Sequence, residues 1–92
     1  MSSFEQLVYV GLMRRLENHN ATIRIIVLYS CFVITVFLKD ENYYIEHRVY
    51  NKDIEYDWFD EREKINYITK QTIEYIMKKI NKFLEEKKNE KV

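Results

Sequence analysis

The sequence predicts a small α+β domain in the order helix, three antiparallel strands, long helix. Three observations carry this expectation. Residues 23–50 form the densest run of Val, Ile, Phe and Tyr in the chain, contain no Gly or Pro, and hold one turn-like cluster, Lys39, Asp40, Glu41 and Asn42. Such β-branched and aromatic residues suit a pleated, half-buried surface. On either side of this run, apolar residues recur at three- and four-residue steps, the period of a helix face. Finally, 92 residues with 47% hydrophobic and 15% aromatic side chains are enough for one domain with a modest core, and they differ from the aromatic-poor composition of disordered chains.

The first helix is expected over 4–17. Ser2 with Glu5, or Ser3 with Gln6, has capping-box spacing. Phe4, Leu7, Val8, Leu12 and Leu16 share one face, and Tyr9, Val10 and Met13 widen it, so this helix is expected to be nearly engulfed or to face a second copy of the chain. Gly11, the only glycine, costs about 1 kcal/mol in a helix relative to alanine. It is read either as a point of close approach by another backbone or as a tolerated neutral residue.

The sheet occupies 22–50, with strands at 22–28, 31–38 and 43–50. The turn at 39–42 is polar and rich in turn-forming residues. The break near Tyr29 and Ser30 leaves two readings, two strands or one long bent strand. In the third strand, Tyr43, Ile45, His47 and Val49 alternate with Tyr44, Glu46, Arg48 and Tyr50, and the first set is expected to be buried. Residues 31–38 are apolar on both faces, as in a central strand or one covered by a helix or a partner. Residues 25–38 carry no charge, but this run is shorter than the roughly 20 residues a membrane span needs. No membrane association is expected.

Residues 51–59 read as an acidic, aromatic connector, 60–87 as the last helix and 88–92 as a frayed tail. Asp60 with Glu63 offers a second capping box, with Asp57 an alternative cap. Ile65, Ile68, Thr72, Ile73, Ile76, Ile80, Phe83 and Leu84 fall on one helical face. A helix of this length spans about 40 Å, longer than so small a sheet. Its C-terminal half is therefore expected to project and pair with a second protomer, making the chain a homodimer.

Formal charge is zero overall but segregated: net +2 over 1–39, −6 over 40–63 and +4 over 64–92. The single cysteine, Cys31, permits no internal disulfide or multi-cysteine zinc site and favours a reducing compartment. No segment carries a signal-peptide cleavage pattern, so a cytoplasmic protein is expected. Ile, Lys, Asn and Tyr supply 36 of the 92 residues. Their codons are AT-rich, which points to a bacterium, phage or archaeal virus with such a genome.

Catalytic chemistry finds little support. No glycine-rich phosphate loop exists, Cys31 lies in an apolar run that suits inert packing, and no cofactor or resident metal is implied. A metal-dependent hydrolase would need His47 and Glu46 to converge with an acid from 53–63, a set with no recognisable motif. The element order resembles that of the double-stranded-RNA-binding domain. That resemblance implies phosphate contacts at the start of the last helix, where Asp60, Glu61 and Glu63 would repel them.

Direct nucleic-acid binding retains two other routes. One is a stacking platform of Tyr43, Tyr44, Tyr50 and Tyr56 with Arg24 and Arg48; the other is a regulator's use of the lysine-rich last helix. A host protein partner fits more of the sequence. Asp53, Glu55, Tyr56, Asp57, Trp58, Asp60 and Glu61 form an acidic patch with interleaved aromatics. Aromatic residues anchor interfaces, and carboxylates around them select a basic partner. The expectation is a non-enzymatic binding protein, of the kind mobile elements use as anti-CRISPR or anti-restriction inhibitors of host nucleic-acid enzymes. The competing reading makes the acids helix caps and Trp58 and Phe59 an apolar plug.

Overall fold

A computed structural model describes the backbone of residues 3–54 and 61–90, and the side chains of 3–52 and 64–90. Its elements are α1 (Phe4–Arg15), β1 (Ala21–Val27), β2 (Cys31–Leu38), β3 (Tyr43–Tyr50), α2 (Asn51–Ile54) and α3 (Glu61–Glu90). The three strands form one antiparallel meander with β2 in the centre. This is the expected α+β arrangement, and the chain breaks into two strands at Tyr29 and Ser30. Of the two caps proposed for α1, the structure uses Ser3, whose hydroxyl accepts from Gln6 N while the Gln6 side chain accepts from Ser3 N.

The core is a single layer between both long helices and one face of the sheet. Phe4, Val8, Leu12 and Leu16 of α1, Ile23 of β1, Ile34, Val36 and Leu38 of β2, Ile45 and Val49 of β3, and Ile68, Ile73, Ile76 and Ile80 of α3 make one buried cluster. Strand alternation sends even-numbered residues of β2 and odd-numbered residues of β1 and β3 into it. The split predicted for β3 is therefore the observed one, with Tyr43 and His47 half-buried on the helix side. Tyr43 stacks on Phe83 at 4.0 Å between centroids, and His47 lies against Tyr75 at 4.5 Å. These contacts run α3 antiparallel to β3.

Several expectations are corrected. The C-terminal half of α3 does not project: Ile80 is buried, Phe83 is stacked, and Lys87 Nζ donates to Glu41 Oε2 at 2.6 Å, tying the helix to the β2–β3 turn. The helix also continues to Glu90, three residues past its expected end, with the Lys87–Glu41 contact in its last turn. Residues 51–54 form a short helix, α2, where composition predicts a connector. It leaves β3 directly, anchored by Asn51 N to Ser30 O at 2.9 Å and by Asn51 Nδ2 to Tyr29 O at 2.8 Å. Helix α1 is not engulfed, and Tyr9, Val10 and Met13 stay exposed. At Gly11 the close approach comes from a side chain rather than a backbone. An added Cβ would stand 2.4 Å from Ile73 Cδ1 of α3.

Candidate functional site

The register places four cross-strand rows on the face of the sheet that carries no helix. They read Thr22–Phe37–Tyr44, Arg24–Thr35–Glu46, Ile26–Val33–Arg48 and, at the hairpin end, Leu28–Cys31–Tyr50. The last row extends the ladder by one pair, since Leu28 N donates to Cys31 O at 2.8 Å. Cys31 and Val33 are buried at the midline by the larger side chains beside them, while Tyr44 is 57% and Tyr50 43% exposed. An exposed Arg48–Glu46 ion pair at 3.4 Å lies along β3. Arg24 has no carboxylate partner among the described residues.

At the hairpin end the apolar character runs straight through the turn. Val27 is 61% exposed, Leu28 is exposed, and Tyr29 is wholly in solvent. Behind them a shallow cleft of about 560 Å³ is lined by Tyr29, Ser30, Tyr50, Asn51 and Lys52. Lys52 Nζ lies 5.9 Å from the Tyr50 ring centroid, at the outer edge of cation–π range. The Asn51 bonds to Tyr29 and Ser30 fix α2 against this cleft, so the acidic segment leaves the sheet from the same end. Sequence reasoning misses the exposed tip. Its signal is that residues 26–29 are all apolar or aromatic where a hairpin tip normally turns polar.

Of the predicted partner-binding residues, Asp53 lies in α2 and Glu61 is the first residue of α3. Glu55, Tyr56, Asp57, Trp58 and Asp60 lie outside the described residues, as does the Trp58–Phe59 plug. The other candidate sets are separated by the strand alternation. Glu46 faces away from the helices and His47 towards them, so the pair does not converge on a metal. Among the described residues no group of three His, Cys, Asp or Glu side chains is placed to hold one. The stacking platform also divides: Tyr43 is committed to Phe83, leaving Tyr44, Tyr50, Arg24 and Arg48 on the open face.

The lysine face of α3 is exposed at Lys70, Lys78, Lys79, Lys82 and Lys88, interleaved with exposed Glu74, Glu85 and Glu86. Lys79 Nζ sits 5.0 Å from the Tyr75 ring centroid, and the Tyr75 hydroxyl raises the Lys79 pKa. On the other side of the same ring contact, burial first and the nearby Lys79 charge second lower the His47 pKa below 6.5. Cys31 is buried and unbridged. Among the described residues no helix is long and apolar enough to cross a membrane. Protein-family models, curated proteins and solved structures were all compared with the chain, and none matches.

Proposed function

We propose that the chain is a small, non-enzymatic protein-binding module. On this reading it captures a basic protein surface with the hairpin end of its sheet and the acidic segment that leaves there. The observation that carries the reading is the exposed apolar tip, Val27, Leu28 and Tyr29, standing beside the cleft at Tyr50, Asn51 and Lys52. Asp53 and the acids that follow come directly after Lys52 in the chain. An aromatic and aliphatic anchor followed in the chain by a run of carboxylates has the chemistry of an interface that selects for charge and binds through desolvated apolar contact.

A positively charged groove in a nucleic-acid-handling enzyme has the matching chemistry. The AT-rich composition and small size suit a mobile-element or viral inhibitor of such an enzyme acting in the host cytoplasm, anti-CRISPR and anti-restriction proteins being of that class. The test is capture from nuclease-treated lysates of AT-rich bacteria, with wild type beside an Asp53→Lys, Asp57→Lys, Glu61→Lys variant. A retained enzyme that the variant loses supports the proposal. Equal retention by both, or retention seen only when nuclease is omitted, overturns it. The second outcome moves the function to the lysine face of α3 and to nucleic acid, whose binding would also fall steeply with salt.

A further inference from the structure

We propose that the helix-free face of the sheet is a self-association surface, on which a second copy packs face to face with β1 of one protomer over β3 of its partner. The proposal rests on how charge is distributed across that face. A two-fold axis lying parallel to β2, midway between two facing sheets, keeps every cross-strand row at its own level and exchanges β1 with β3. Arg24, at the β1 end of its row, then meets Glu46 of the partner subunit, and the symmetry makes this pair twice. Within one protomer the two residues stand two strands apart, about 10 Å by strand spacing, and Glu46 pairs with its neighbour Arg48 instead. Association therefore supplies a carboxylate to Arg24, which has none among the described residues, in a charge-assisted contact that an arginine fork fits well.

The remaining rows agree. Leu28 falls over Tyr50 of the partner subunit, Ile26 over the stem of Arg48 of the partner subunit, and Thr22 over Tyr44 of the partner subunit. Val33, Cys31 and Phe37 lie along the axis. Aligned sheets cross at about −30°, which displaces the outer rows most and leaves the two middle rows, those with the charges, closest to register. The other in-plane axis, perpendicular to the strands, sets Glu46 against Arg48 of the partner subunit. It repeats a pairing that each protomer already makes internally and buries Arg24 against Ile26 of the partner subunit with no counter-charge, an outcome that costs stability.

A face of three strands by eight residues is roughly 14 by 27 Å. At about 380 Å² per protomer this falls below the range of stable interfaces and into that of weak, transient ones, so the dimer should dissociate on dilution. The parallel arrangement encloses Leu28 and Tyr50 but leaves Val27 and Tyr29 of both hairpins on the same side of the assembly, giving a partner two contacts and a gain in avidity. Self-association itself stands on the sheet face and does not depend on what the hairpin end captures.

The test is sedimentation velocity of the purified chain over a concentration series, a readout that involves no other protein. Arg24→Glu and Glu46→Arg each set like charges face to face across the axis, and each should weaken dimerisation by about tenfold or more. An equimolar mixture of the two single variants satisfies both pairs again, because one copy supplies two glutamates and the other two arginines. The mixture should recover the dimer that neither variant forms alone. Wild type that stays monomeric throughout the series overturns the proposal. So does a dimer that neither variant weakens, or rescue by mixing Glu46→Arg with Arg48→Glu instead. A monomeric chain whose Tyr44 and Tyr50 are protected by an oligothymidine single strand would reassign the face to nucleic acid.

Discussion

Replacing Gly11 with alanine tests how tightly the two helices are fitted together. An ideal Cβ at Gly11 lies 2.4 Å from Ile73 Cδ1 and 3.5 Å from Ile73 Cγ1. Carbon atoms in favourable contact sit about 3.5–4.0 Å apart, so the new methyl overlaps the isoleucine tip by more than about 1 Å. Ile73 is only 5% exposed and belongs to the core cluster, so its tip must give way by turning within the packed interior. Alanine contributes about 1 kcal/mol of helix propensity, while overpacking a filled core costs typically about 1–3 kcal/mol. The expected net effect of Gly11→Ala is a loss of about 1 kcal/mol. In the wild-type background Ile73→Val costs about 0.5–1.5 kcal/mol. In the Gly11→Ala background it removes the colliding methyl and should cost nothing or restore stability. The double-mutant cycle should therefore show a coupling of at least about 1 kcal/mol. Urea denaturation followed by far-ultraviolet circular dichroism at one fixed protein concentration measures it. Gly11→Ala that stabilises by the full propensity gain, with additive costs, would refute the close approach of α1 and α3.

Other consequences can be measured on the same footing. Because burial and the Lys79 charge hold the folded-state His47 pKa below its unfolded value, the unfolded chain takes up the proton first as pH falls. Stability is then fully present above about pH 6.5 and lost progressively below it, down through the folded-state pKa. The stability difference between wild type and His47→Gln should shift in that window and flatten above about pH 7. Lys87→Ala breaks the contact to Glu41 at partly exposed side chains; it should cost less than about 1 kcal/mol yet speed amide exchange in the last turns of α3. Asn42 holds a φ of 50° in the β2–β3 turn, so Asn42→Val should destabilise by about 1–2 kcal/mol while Asn42→Gly is tolerated.

Where local chemistry decides structure, the sequence is sufficient. Strands β2 and β3 form at the residues where they are expected, because Lys39, Asp40, Glu41 and Asn42 interrupt two runs and the alternation of the second has only one apolar set. The buried face of α3 from Ile68 to Ile80 follows from spacing alone. What is not legible depends on contacts distant in the chain. Helix α2 is a single turn, too short to form alone, and held by bonds from Asn51 to Ser30 and Tyr29, far back in the sequence. The docking of α3 by Lys87 needs Glu41, 46 positions earlier, and without it a long helix reads as a projecting one. The candidate site divides in the same way. The acidic run is visible as composition. That it leaves the sheet beside an apolar hairpin tip is a fact of topology, and so is the dispersal of Glu46 and His47 to opposite faces.

The hairpin end of the sheet is the proposed working surface of the molecule, and the exposed apolar patch on α1 is its natural rival. Three variants compared in one capture experiment separate them. Val27→Ser with Tyr29→Ser alters the tip. Asp53→Lys with Glu61→Lys alters the acidic run that follows the sheet in the chain. Tyr9→Ser with Val10→Ser and Met13→Ser alters the outer face of α1. None of the substituted apolar positions belongs to the buried core, so folding should survive each change, as circular dichroism would verify. If the hairpin end is the working surface, both variants there lose the protein that wild type retains while the α1 variant keeps it. Loss by the α1 variant, with capture intact in the other two, would contradict this assignment and move the interface to the helix.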